Sequence, residues 1–280
     1  MKDLKVFSEI SGSFTDHSSD AQDYLRDNFE LTFGIGDKLY LGLYKPFNAA
    51  YLELNSSAGS ADLSFRYGSD GAFSSLFVSD QTKGFSRSGF LSWDRSRVTD
   101  NWVESDVNGE SQFWVEIEFN SSTTVDIQGL NLVFSSDYLM DIKNPFVLDY
   151  LAKNDTSFIR YHVAARDEIV QTLRNGGYIK MPGAIQDLFF QPSVNRQNIT
   201  KWDLLDIEEV REAATFKAIA MVFFNESRNV EDKAYNLYRQ YQGKYGESFK
   251  LYYLSLDKDD DGKEDSNEKL ASNESTVVYE

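Results

Sequence analysis

The densest group of side chains able to do chemistry lies near the end of the chain, in the run DKDDDGKEDSNE from Asp257 to Glu268. Asp257, Asp259 and Asp261 place oxygens at the first, third and fifth positions, and Gly262 supplies the sharp bend at the sixth. The carbonyl of Lys263, then Asp265, then Glu268 as a two-oxygen ligand complete the spacing of an EF-hand calcium loop. Two features depart from that pattern. Glu264 stands where an apolar residue normally seats the loop, and a short polar segment follows Glu268 in place of a second helix. Ca2+ is the one cofactor the chain suggests, and an unmetallated acidic turn is the plainer alternative.

Other chemistries find little material. The chain has no cysteine and only two histidines, His17 and His162, so thiolate metal sites, thiol nucleophiles and His-paired nucleophile schemes are poorly supplied. His162 falls on the inner face of an expected helix, where a hydrogen-bonded core histidine is the simpler reading. Carboxylates are too numerous for any pair to stand out as a glycosidase acid and base, and neither common Gly-rich phosphate loop is present. Trp93, Trp102 and Trp114, with Tyr51, could stack on sugar rings if they shared an exposed face, although such residues more often complete a core or an interface. A net charge of −17 disfavours gripping DNA, whose affinity comes largely from Lys and Arg displacing counterions. An acidic surface still suits a wall past which DNA slides. No apolar run is long enough for a bilayer and the start MKDLKVFSEISGSF has no signal-peptide core, so a soluble chain without membrane contact is expected.

Two kinds of element must position these groups. From about residue 29 to 136 the apolar residues recur with period two between Gly, Asn, Asp and Ser clusters. Leu39, Leu41 and Leu43 form one such set, and Phe113, Val115, Ile117 and Phe119 another. Roughly eight or nine strands and no helical periodicity predict an antiparallel, jelly-roll-like β-sandwich. Residues 1–28 are polar enough to predict a loosely held arm or an edge strand, and 137–154, with Pro145, a linker.

Residues 155–256 predict a bundle of about three main helices, making the chain an α+β protein of two domains. The first helix buries Phe158, His162, Ala165, Ile169 and Leu173. The central one spans 202–228, with Asp203 or Asp206 as N-cap and AIAMVFF, Ala218 to Phe224, buried on all sides. The third carries Ala234, Leu237, Tyr238, Tyr241 and Tyr245, with a kink or break expected near Gly243. The acidic loop, 257–270, and a tail, 271–280, follow.

The segments DLLDIEEVREAATFKAIAMVFFNESR and LSLDKDDDG, with the Tyr-rich third helix, resemble the head-to-tail connector (adaptor) proteins of tailed bacteriophages. The phrases LYLGLYKPFNAAYLEL, KGFSRSGFLSWD and QFWVEIEF are similar to a β-sandwich domain of phage virion proteins. The resemblance implies a non-enzymatic virion component of the neck, made in the host cytoplasm. It implies a self-assembled ring of about twelve copies beneath the portal protein, joined to tail or neck proteins, with DNA passing through without sequence-specific binding. It also gives the β-prone tail Thr276, Val277, Val278, Tyr279 and Glu280 a partner, by strand addition to the portal. A carbohydrate-binding or adhesion module of a baseplate is the alternative reading.

Overall fold

A computed structural model describes residues 3–24, 28–94, 101–152, 155–174, 199–249 and 254–257. The chain is α+β, with strands gathered in a first unit, Met1–Leu132, and helices in a second, Val133–Glu280.

In the first unit the period-two pattern sets the register. On β4 (Lys38–Leu43) and β11 (Glu110–Phe119), Leu39, Leu41 and Leu43 stand opposite Ile117, Val115 and Phe113. On the other side of β11, β6 (Leu63–Ser69) sets Phe65 and Tyr67 beside Ile117 and Val115. Each strand thereby turns its apolar set to the same side, which alternation along a pleated backbone requires. With β1 (Lys5–Ile10), β2 (Ser13–Asp16) and β7 (Ala72–Ser75) these strands form a sheet of order β2-β1-β4-β11-β6-β7, and β10 (Ser105–Val107) pairs with the start of β11. A second sheet has the order β3-β12-β5-β9-β8, from β3 (Phe29–Phe33), β12 (Thr123–Asn131), β5 (Ala49–Ser56), β9 (Gly89–Trp93) and β8 (Val78–Asp80). Every strand pairing among the described residues is antiparallel, and the two sheets meet where Phe33 stacks on Phe119 at 3.8 Å between ring centroids.

The polar start of the chain is not a loose arm; it supplies β2, the edge strand of the first sheet, together with β1. β1 lies between β2 and β4, with Leu4, Val6 and Phe7 buried, and the short helix α1 (Ser18–Ala21) follows it. Ser18 Oγ accepts the Val6 amide, and the His17 ring stacks on Phe29 at 4.9 Å. Serine and histidine here close turns rather than face water.

In the second unit α4 (Glu208–Glu226) packs against α3 (Ile159–Arg174) and α5 (Lys233–Ser248). All five expected inner residues of α3, Phe158 included, are buried. Within AIAMVFF, Ala218, Ile219, Ala220, Val222 and Phe223 are buried, but Phe224 is exposed. The expected linker is structured: α2 (Asp137–Lys143) and a 3-10 turn, Pro145–Tyr150, cover α4, adding Met140 and Val147 to its core. Asn144 divides them and caps the turn, its side chain accepting the Phe146 amide at 3.1 Å.

Two helix boundaries differ from expectation. Asp203 does not cap α4; it closes a capping box with Thr200 on a separate 3-10 turn, Lys201–Asp203, and α4 starts at Glu208, whose amide meets Asp206. The interruption exists because Leu204 pairs with Leu256 in an antiparallel bridge, which demands extended backbone. Conversely, α5 runs unbroken through Gly243 and Gly246 from its Asp232 N-cap. Its buried Tyr241 and Tyr245 hold it against α4, and packing outweighs the roughly 1 kcal/mol that each helical glycine costs.

Candidate functional site

The Leu204–Leu256 bridge is where the acidic run begins. Leu205 donates to the Ser255 carbonyl at 3.0 Å and the Asp257 amide to the Asp203 carbonyl at 2.8 Å. The Glu209 carboxylate accepts both the amide and the hydroxyl of Ser255, at 2.7 and 3.0 Å. Asp257, the first proposed calcium ligand, is thus buried and fixed beside the start of α4. Asp259, Asp261, Lys263, Asp265 and Glu268 lie outside the described residues, as do Thr276, Val277, Val278, Tyr279 and Glu280. Among the described residues no group of three or more acidic, His or Cys side chains is arranged to hold a metal ion.

The three tryptophans are described, and all are buried. Trp93 donates to the Phe47 carbonyl at 2.6 Å, and Trp102 packs against Phe47, Trp93, Tyr67 and Phe113. Trp114, next to Phe113 in β11 and so on the opposite face of its sheet, lies over Gly42 among Phe7, Tyr40 and Val107. They do not share a surface, and Tyr51 is buried too. Large aromatic area is what a sandwich of short strands uses to fill its core. The stacking platform that Trp93, Trp102 and Trp114 could have formed is absent, and burial is the reading that holds.

Beside Trp114 the same face carries an ionic ladder. Glu116, almost fully buried, meets Arg66 Nε at 2.6 Å and Lys38 Nζ at 3.5 Å; Lys38 also meets Glu9 at 3.7 Å, and Arg66 pairs with Glu118. Tyr40 donates to Glu9 at 2.8 Å, and burial followed by that bond pushes its hydroxyl far above the usual phenol range. Cross-strand charge pairs of this kind satisfy the polar groups of an outer sheet face.

Both histidines are buried and hydrogen-bonded. Ser135 Oγ lies 2.7 Å from His162 Nδ1, and His162 Nε2 lies 2.8 Å from Asp137 Oδ1. The order is that of a Ser-His-Asp relay, but Ser135 and His162 are buried, and Asp137 also accepts the Phe158 amide at the start of α3. The chain of bonds fastens the α2 N-terminus to α3. No short-range signal links residues 27 apart in sequence, so only the fold reveals it. Lys217 makes a second polar clasp. Its ammonium reaches Glu168 of α3 at 2.5 Å and Gln242 of α5 at 3.1 Å, over the Tyr245 ring. Burial and the Glu168 charge push the Tyr245 hydroxyl up to about 12.

The second unit also exposes several large apolar side chains. Tyr138 and Ile142, one turn apart on α2, are 61% and 57% exposed, and Phe146 and Leu148 on the next turn are 73% and 40% exposed. At the α4–α5 turn Phe224 and Val230 are 58% and 68% exposed, Phe224 resting on Tyr238. These are sites that sequence reading missed; the i, i+4 apolar pair Tyr138 and Ile142 was the available signal.

No protein-family model matches the chain, and no curated protein matches it. A solved chain described as "CpGH89CBM32-6 produced by Clostridium perfringens" is similar at a TM-score of 0.30 and 15% identity, over 47% of this chain and 93% of that one. A likeness that slight bears on neither fold family nor function. Among the described residues no helix is long and apolar enough to cross a membrane.

Proposed function

We propose that the protein is a structural, non-enzymatic head-to-tail connector of a tailed-phage virion: a jelly-roll-type sandwich joined to a three-helix connector block that repeats as a ring beneath the portal. The supporting observation is that α4 is sheathed by α2, α3 and α5 of its own chain, with Ala218, Ile219, Val222 and Phe223 buried and Phe224 exposed near its C-terminal end. A block that satisfies its central helix internally is a unit able to tile a circle. The resemblance of residues 203–228 to such connectors names the circle, and the net charge of −17 suits a lumen through which DNA moves without adhering.

The test is docking. Removal of Thr276 to Glu280 should abolish binding to portal rings while leaving the helical far-UV signal intact. Unchanged docking by the truncated protein would sink the reading. The glycan-binding alternative has lost that platform, since Trp93, Trp102 and Trp114 are buried and do not share one face.

A further inference from the structure

The hairpin that joins β10 to β11 turns through Asn108 and Gly109 alone, since Val107 pairs with Glu110. Both tip residues sit at positive φ, 54° and 81°, the conformation that a tight two-residue turn demands and that Asn-Gly adopts most readily. Both are exposed, and the Asn108 carboxamide makes no hydrogen bond among the described residues. The Gly109 amide, in contrast, donates to Asp106 Oδ1 at 3.0 Å. An Asn followed by Gly has a reaction of its own, because no side chain on the glycine keeps its backbone nitrogen from the carboxamide carbon. That nitrogen must lose its proton to act as a nucleophile. Here a carboxylate already lies within hydrogen-bond reach of the proton, as a general base must.

We infer that Asn108 is a self-modifying site, at which the Gly109 nitrogen displaces ammonia from the side chain with Asp106 as the base. The Gly109 nitrogen bonds to Asn108 Cγ as its proton passes to Asp106, the Cγ–Nδ2 bond breaks, and the proton leaves with that nitrogen as ammonia. Water, the one co-reactant, then opens the five-membered imide at either carbonyl. The products are aspartate and its isomer, in which the main chain runs through Cγ. Either product adds a negative charge to a tip that already carries Asp106 and Glu110. The isomer also lengthens the tip by a main-chain carbon, for which a two-residue turn holding Val107 opposite Glu110 has no room. Among the described residues β10 pairs with β11 alone, and its Ser105 carbonyl accepts Trp114 Nε1 at 2.9 Å. The isomer therefore frees β10 and takes an acceptor from a buried indole. None of this depends on the connector reading.

The test is peptide mapping by mass spectrometry of the full folded chain, sampled over a month at neutral pH. The expected result is a gain of a single mass unit at Asn108, divided between aspartate and its isomer. Asp106→Asn keeps an oxygen that can accept the Gly109 amide but removes the base, and should slow the conversion by about tenfold or more. The pair Asn175-Gly176, with Leu173 where the hairpin has Asp106, is the internal reference and should convert at one rate in both chains. Asn108→Gly retains a residue suited to positive φ and should show no conversion at the tip. Circular dichroism checks that each variant is folded, and residues 105–107 should exchange their amide hydrogens faster in the isomer than in the fresh protein. No conversion at Asn108 would overturn the proposal, as would equal rates there in the wild-type and Asp106→Asn chains. An isomer with unchanged exchange at 105–107 would overturn the release of β10.

Discussion

His17 is held as a neutral ring, accepting or donating at Nε2 to Ser8 Oγ at 2.9 Å and lying flat on Phe29. Burial lowers its pKa from 6.5, and the charges of Asp20 and Asp16 only partly oppose this. The folded state therefore binds a proton less readily than the unfolded chain. Its contribution is complete above about pH 6.5 and is lost as pH falls from there through the lowered folded value. The predicted result is a wild-type stability that falls more steeply on acidification below pH 6.5 than that of His17→Asn. The excess slope is at most about 1.4 kcal/mol per pH unit. Urea titrations of both proteins across that window would show it, and parallel slopes would disprove it.

At the scale of elements, Gly243 gives the clearest expectation. It is exposed within α5, and a Cβ added there meets nothing within 4 Å. Gly243→Ala should stabilise the second unit by roughly 1 kcal/mol, read as an increase in urea midpoint with unchanged slope. A loss of stability would mean that α5 is not continuous there. Gly42 is the opposite case, since an added Cβ would lie 2.4 Å from the Trp114 ring. Periodicity made the strands around β11 and the buried face of α3 legible, because one face of each is uniformly apolar. It could not show that Lys217 lies inside, because a lysine in a helix reads as solvent-facing until its partners on α3 and α5 are known. Nor could it place β1, whose burial depends on pairing with β4 some thirty residues away, or separate the Lys201–Asp203 turn from α4, which depends on Leu256.

For the whole molecule, two units with separate cores should respond separately to a ligand that touches one of them. Trp93, Trp102 and Trp114 belong to the first unit, whereas Trp202 and the long helices belong to the second, so in a Trp202→Phe chain the tryptophan signal reports the first unit alone. If the run from Asp257 to Glu268 takes calcium, the ion should raise the melting of the helical signal and leave the tryptophan transition in place. The gain is about 2.7 kcal/mol at a hundredfold excess over Kd, and Asp259→Asn with Asp261→Asn should remove it. Equal shifts in both transitions, or none, would show that the motif's spacing misleads. Asp257 is the part of this site that the fold positions; the rest was legible only as spacing.

The clasp at Lys217 has a geometric consequence. An α-helix advances about 5.4 Å per turn, so sliding α3 or α5 by one turn would carry Glu168 or Gln242 out of reach of the ammonium and strand a buried cation. Apolar faces alone tolerate such slippage, because one row of Ala, Leu and Tyr resembles the next. A single cation keyed to two neighbours admits one axial alignment, and repeated copies of the unit would then present identical outlines to one another.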